Sequence, residues 1–199
     1  MILIGIGANL PHPRYGPPRA TCGVALASLA EAPGVVVAAR SRWYRSAPLP
    51  AADQPWFVNA VVRAETALDP AALMALLLAT EQAFGRRRGE PNAARTLDLD
   101  LLAYGELVTG ESGAAAPGSR QAPAVTLPHP RLHQRAFVLL PLRDVAPAWR
   151  HPVTGMDVKA LIAALPPGQT AEAMADAAGA FGSEWNAPPR PAGPDNRAY

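Results

Sequence analysis

Between Arg95 and Gly105 the chain reads RTLDLDLLAYG, in which Leu97, Leu99 and Leu101 alternate strictly with Asp98 and Asp100. A period of two belongs to a β-strand with one apolar and one polar face. Both carboxylates then leave the same side of the strand, at a Cα spacing of roughly 6.5–7 Å, while the leucines face a core. Any fold for this chain must cover one side of that strand and leave a place for two acids on the other.

The neighbouring segments fit a sheet with a few helices. MILIGIG reads as a buried first strand ending near Gly7, and turn residues follow it. Residues 20–32 carry Cys22, Leu26 and Leu29 on one helical face, and Pro33–Gly34 stops them. VVVAARSRWYR (35–45) and FVNAVVRAE (57–65) read as strands. The best-marked helix starts at Pro70 with Asp69 as N-cap, buries Leu73, Leu76, Leu77 and Phe84, and stops at Gly85. Glu81 falls at the border of that buried stripe, where a carboxylate can look into a cleft. The order βαββαβ predicts an α+β, ferredoxin-like antiparallel sheet with its helices packed on one face, followed by C-terminal additions.

A length of 199 residues with 49% hydrophobic and 17% charged side chains suits one core and not two. The 23 prolines, roughly 12% against a usual ~5%, cluster with Ala and Gly in 106–128 and after 166. A domain over 1–166 and a weakly ordered tail over 167–199 are therefore expected, with 106–126 as an enlarged loop. Cys22 stands alone and excludes an intrachain disulfide or a cysteine metal cluster. The first ten residues are too short for a membrane span and lack a secretory leader, so a cytoplasmic protein without a membrane partner is expected.

Charge is local. Arg86, Arg87, Arg88 and Arg95 lie within ten residues, with Glu90 the sole acid among them, which points to one concentrated anion site. Lys159 is the single lysine, so a phosphate-backbone footprint for nucleic acid is not expected. Two adjacent ionised carboxylates persist most easily beside a hard cation such as Mg²⁺, although Leu-Asp-Leu-Asp also describes a plain solvated strand face. RRRGEP likewise reads as a phosphate-binding loop or as a solvated basic turn. Acids with metal on one side and arginines on the other are what phosphoryl transfer requires. No GxxxxGK[ST] loop, kinase motif set, zinc spacing or GxSxG elbow occurs, so a nucleotide would have to bind by another scheme.

RTLDLDLL (95–102), preceded by Glu81 and the arginine-rich loop and followed by LPHPRLHQRAFVLLPL (127–142), resembles the hydroxymethyl-dihydropterin pyrophosphokinases. GANL (7–10), YRSAPLP (44–50) and DQPWFVNAVV (53–62) extend the resemblance in collinear order over about residues 1–165. It implies a ferredoxin-like fold and transfer of the β,γ-pyrophosphate of ATP to the pterin hydroxymethyl group, with AMP released and two Mg²⁺ ions assisting. It further implies that Asp98 and Asp100 bind metal and that Arg86 and Arg95 stabilise the transferring phosphates, these four being the catalytic set. Glu81, Arg86, Arg88, Arg95, His129 and Arg135 are expected at ATP, and Ser46, Pro48, Leu49, Phe57, Asn59 and Phe137 at the pterin, with the two phenylalanines sandwiching the ring. ATP and the pterin are the expected partners of a monomer.

The chain departs from the family pattern in places. The arginine-rich loop is one residue shorter, Asn92 stands where some members have a lid tryptophan, and Ala94 replaces a frequent proline. Pro130 and Leu78 occupy positions that hold tyrosine and glutamine in some relatives. Two other readings compete: a pterin-binding module without catalysis, and a ferredoxin-like RNA-binding domain, which would need aromatics where the sheet carries Asp98 and Asp100.

Overall fold

The computed structural model describes residues 1–86, 93–110 and 125–174. Its central strand, β1 (Ile2–Ala8), lies between β5 (Asp98–Tyr104) and β4 (Phe57–Thr66), both antiparallel to it. Beyond β4 lie β2 (Val35–Arg40), β3 (Tyr44–Ser46) and, paired to β3, β6 (Ala171–Ala173).

β2 and β3 share the outer edge of β4, where a single strand over 35–45 is expected from sequence. The division falls at Ser41, whose hydroxyl accepts the Val61 N–H at 2.9 Å while its own N–H bonds the Val61 carbonyl at 2.9 Å. A side-chain oxygen thus takes the place of a ladder carbonyl, so the chain can bend there without orphaning a backbone donor. Trp43, two residues past the bend, is fully buried in the first core cluster.

One face of the sheet presents Ile2, Ile4, Ile6, Val62, Leu99 and Leu101 to helices α1 (Pro18–Glu31) and α2 (Pro70–Ala83). Asp69 caps α2, accepting the Ala72 N–H at 2.8 Å, and Gly85 leaves the helix at φ 73°, a left-handed conformation that glycine adopts without steric cost. Each fully buried Leu of this layer, such as Leu26, Leu73 and Leu77, contributes about 1.5–3 kcal/mol relative to exposure.

Helices α1 and α2 share one face, and the C-terminal elements cover the other. Leu3, Val61, Leu102 and Ala103 belong to a second cluster, covered by α3 (Ala136–Val145) and α4 (Val158–Ala163). Backbone pairing continues past the expected boundary at 166. The Ala47 N–H bonds the Thr170 carbonyl, the Met174 N–H bonds the Trp43 carbonyl, and β6 extends the sheet. The edge of β3 needs backbone partners, and an Ala-rich segment supplies them as well as any other, since ladder bonds are indifferent to side chain. The remainder of the proposed tail, 175–199, and most of the 106–126 segment lie outside the described residues. No helix among the described residues is long and apolar enough to cross a membrane.

Candidate active site

The second sheet face is apolar at one end and open at the other. β1 pairs Gly5 with Asp100 and Val61, and Gly7 with Asp98 and Asn59. With no side chain on β1 at either place, a cleft opens over the strand. Asp98, Asp100 and Arg95 line one side; Ser46, Asn59, Phe57 and Leu49 line the other; and Arg135 and Phe137 reach in from the start of α3. The strict alternation of β5 therefore does what it implies, since both acids face one cleft while Leu99 and Leu101 are buried beneath.

The acids are held among cations. Arg95 Nη1 donates to Asp98 Oδ2 at 2.7 Å, and Arg86 Nη1 lies 2.5 Å from Asp98 Oδ1. The second contact lacks hydrogen-bond geometry, so this buried oxygen keeps unused acceptor capacity. Burial, and then the charge of Asp98, raise the Asp100 carboxyl well above the usual carboxylate range, although Arg135, Arg86 and Arg95 oppose this. Among the described residues there is no group of three or more His, Cys, Asp and Glu able to hold a metal. A cation here would have two carboxylates and would complete its shell with water or phosphate, which fits Mg²⁺ and not a cation that needs an all-protein cage.

Glu81 does not look into the cleft as its helical position suggests. It is 2% exposed beneath β5, where Oε1 accepts the Leu99 N–H at 2.6 Å and pairs with Arg86 Nη1. Helix periodicity misplaces it because its partners come from a strand and a loop. Burial pushes its carboxyl up to about 7, against the pull of the Leu99 N–H and Arg86.

His129 is not a lining residue either. Its Nδ1 accepts the Arg131 N–H at 3.2 Å and its own N–H bonds the Leu102 carbonyl, so the ring is tied into a turn beside β5. Burial, with Arg135 and Arg131 nearby, lowers its pKa to about 4, so the ring is neutral at pH 7.

Pro48 stands between the lining residues Ala47 and Leu49 without lining the cleft itself, and Leu49 is 46% exposed at the rim. The Arg135 guanidinium lies 5.3 Å from the Phe137 ring centroid. Asn59, 6% exposed, donates from Nδ2 to Ser46 Oγ at 2.9 Å. Arg88, along with Arg87 and Asn92, lies outside the described residues.

Asn9 carries a role that sequence reading leaves unassigned. It is buried, accepts the Arg95 N–H at 2.7 Å through Oδ1, and donates from Nδ2 to Gln54 Oε1 and the Pro55 carbonyl. GANL, DQPWF and RTLDLDLL, three separate motifs, are thereby joined at one amide. The signal was the motif itself, a buried Asn immediately after a strand.

A family model described as 7,8-dihydro-6-hydroxymethylpterin-pyrophosphokinase (HPPK) matches residues 3–147. The chain belongs to that family. Among its relatives in the HPPK family, a Synechocystis protein named 2-amino-4-hydroxy-6-hydroxymethyldihydropteridine pyrophosphokinase is 37% identical over 160 residues, 80% of this chain and 73% of the relative. A protein of the same name from Pseudomonas aeruginosa is 37% identical over 165 residues, 83% of this chain and 91% of the relative. A crystal structure of a Plasmodium falciparum HPPK-DHPS triple mutant superposes with a TM-score of 0.60 at 12% identity, over 81% of this chain and 42% of that one. The last likeness concerns the HPPK fold alone, a mixed α/β arrangement with an antiparallel sheet.

Proposed function

We propose that this chain is an ATP-dependent pyrophosphokinase that makes the diphosphate of 6-hydroxymethyl-7,8-dihydropterin and AMP, a step of folate biosynthesis, and that the cleft over β1 is its reaction centre. The observation that carries this reading is the row Asp98, Gly7, Asn59 across three strands, with Arg95 and Arg86 paired to the acid and Ser46 to the amide.

The two ends of the row suit the two substrates. Asn59, anchored by Ser46, has a carbonyl oxygen and an N–H for the edge of a heterocycle. Phe57 and Phe137 supply apolar contact to its faces, with Pro48 and Leu49 at the entrance. At the other end Arg86, Arg95 and Arg135 offer bidentate donors to phosphate oxygens. Glu81 and His129 act from behind, Glu81 through Arg86 and Leu99, and His129 through the turn that leads to Arg135. Arg88 is assigned to the phosphates on the family resemblance.

The pterin hydroxyl oxygen attacks the β-phosphorus of ATP in line, forming a P–O bond as the bond between that phosphorus and the α-phosphate oxygen breaks. AMP leaves and the hydroxyl proton is released to solvent. Asp98 and Asp100 would hold two Mg²⁺ ions, which when bound neutralise phosphate charge and acidify the hydroxyl. Arg86 and Arg95 neutralise charge on the oxygens of the transferring group, and Arg135 draws Asp100 toward its ionised form.

The strand order β5-β1-β4-β3 supports a ferredoxin-like assignment, with α3, α4 and β6 as additions. A cytoplasmic monomer acting on small molecules, without nucleic acid or membrane, completes the reading. The test is AMP release from ATP, Mg²⁺ and 6-hydroxymethyl-7,8-dihydropterin. Turnover by the wild type and its loss in Asp100→Ala, with the fold retained, support the proposal; AMP formation that ignores the pterin, or near-normal turnover by Asp100→Ala, rejects it.

A further inference from the structure

β1 changes character along its length. Its even residues Ile2, Ile4 and Ile6 are buried under α1 and α2, while on the opposite face Leu3 packs under α3 and the next two positions, Gly5 and Gly7, carry nothing. Neither glycine has a positive φ, so the backbone there is one that any residue adopts. A glycine inside a strand costs about 0.5–1 kcal/mol relative to alanine through lost chain entropy. Conformation does not account for these two residues, and space does.

A Cβ on Gly7 would lie 2.8 Å from Asn59 Oδ1, closer than real Cβ atoms come. Asn59 has little freedom to yield, because Nδ2 is bonded to Ser46 Oγ and the residue is buried. A Cβ on Gly5 would meet only Leu102 side-chain atoms, at 3.4 Å, a contact that a small shift relieves. The two glycines therefore differ, and the severe conflict is with a polar atom of the cleft rather than with the core.

We infer that Gly7 is a specificity-determining residue: its missing side chain seats the Asn59 carboxamide against Ser46 and leaves bare backbone, two strand spacings or roughly 10 Å wide between the Asp98 and Asn59 Cα atoms, over which a flat heterocycle held between Phe57 and Phe137 sets one edge at Asn59 and its reacting arm at the acids. This rests on the pterin reading above. It makes Gly7 part of the pterin site and leaves the nucleotide contacts to other residues.

The experiment is Gly7→Ala, alone and combined with Asn59→Ala, in the full chain. Pterin affinity is read by calorimetry with 6-hydroxymethyl-7,8-dihydropterin, a non-hydrolysable ATP analogue and Mg²⁺, and KM for both substrates is read by AMP release. Gly7→Ala is expected to weaken pterin binding and raise pterin KM at least tenfold, to leave the nucleotide KM within twofold, and to keep the chain folded, with any fall in the unfolding midpoint relieved when Asn59 is also alanine. In the Asn59→Ala background the same change is expected to cost no further pterin affinity, because the atom it displaces is gone. An equal penalty in both backgrounds, parallel losses for both substrates, unaltered pterin binding, or a Gly7→Ala chain that does not fold would each overturn the inference. A wild type that binds pterin but releases no AMP would sink the pyrophosphokinase reading while leaving Gly7 tested by calorimetry; a wild type that binds no pterin would sink both.

Discussion

The Glu81 carboxylate accepts the N–H of Leu99 at 2.6 Å, and Leu99 is the residue between Asp98 and Asp100. Since the same oxygen pairs with Arg86, one buried atom fixes both the strand that carries the acids and a guanidinium that faces them. Glu81→Ala would leave the Leu99 N–H unsatisfied, a loss of about 1–3 kcal/mol expected in urea unfolding. Glu81→Gln keeps an acceptor but no charge, and should preserve more of the stability than of kcat. Equal retention of both would show that the Arg86 pair is without catalytic consequence.

Arg95 uses its fork in two directions, with Nε to the Ala93 carbonyl at 3.1 Å and Nη1 to Asp98. Lysine at this position keeps the charge but cannot hold both partners at once. Arg95→Lys should lower kcat by about 10²-fold, within the range found for removing one preorganised charge-stabilising donor, while the thermal midpoint changes little.

Gln169 clasps the start of α3. Its Oε1 accepts the Ala136 N–H at 2.9 Å and its Nε2 donates to the Gln134 carbonyl at 2.8 Å, and Ala136 lies between the cleft residues Arg135 and Phe137. A chain ending after Met174 should therefore be more stable, and have a lower pterin KM, than one ending after Pro166. Gln169→Ala in the full chain should reproduce part of the KM difference. Identical melting curves and kinetics for the two truncations would contradict this role.

Three groups in and behind the cleft contribute to the pH dependence of the ligand-free protein. Glu81 (ordinary value 4.5, folded about 7) and Asp100 (3.8, folded about 6) hold protons in the folded state that the unfolded chain has released, so their contribution to stability falls as pH rises through roughly 4 to 7. His129 (6.5, folded about 4) has the opposite sign, contributing stability above 6.5 that is lost as pH falls toward 4. Urea midpoints taken at pH 4.5, 5.5 and 6.5 should show Glu81→Gln shifting the slope toward stabilisation with rising pH, and His129→Asn shifting it the other way. No change of slope in Glu81→Gln would mean that its carboxyl is not held up by burial.

Features set by local rules were legible in the sequence. Asp69 and Pro70 announce the start of α2, and the Leu-Asp alternation announces β5 and the shared face of its acids, because caps and pleats depend on near neighbours. Features set by distant partners were not. The break at Ser41 depends on the N–H of Val61, the burial of Glu81 depends on Leu99, and the addition of β6 depends on a vacant edge of β3. Gly5 and Gly7 read locally as weak points in a strand, and their use emerges only once Asp98 and Asn59 stand on either side. The covering of the second sheet face by α3 and α4 likewise follows from hydrophobic surface on Leu3, Val61 and Leu102 that a two-helix layer leaves wet.

The cluster of Arg86, Arg95, Glu81 and Asp98 has a consequence for how a ligand arrives. Before anything binds, these four side chains are already joined by ion pairs, so much of the arginine charge is offset before a triphosphate arrives. A bare polyanion must pull guanidinium groups away from Asp98 and leave the acid stranded beside the new charge. On the reading proposed above, a polyanion escorted by divalent ions would trade partner for partner, arginine to phosphate and aspartate to metal, and strand nothing. The proposed reaction centre would then discriminate against metal-free nucleotide through its resting ion pairs.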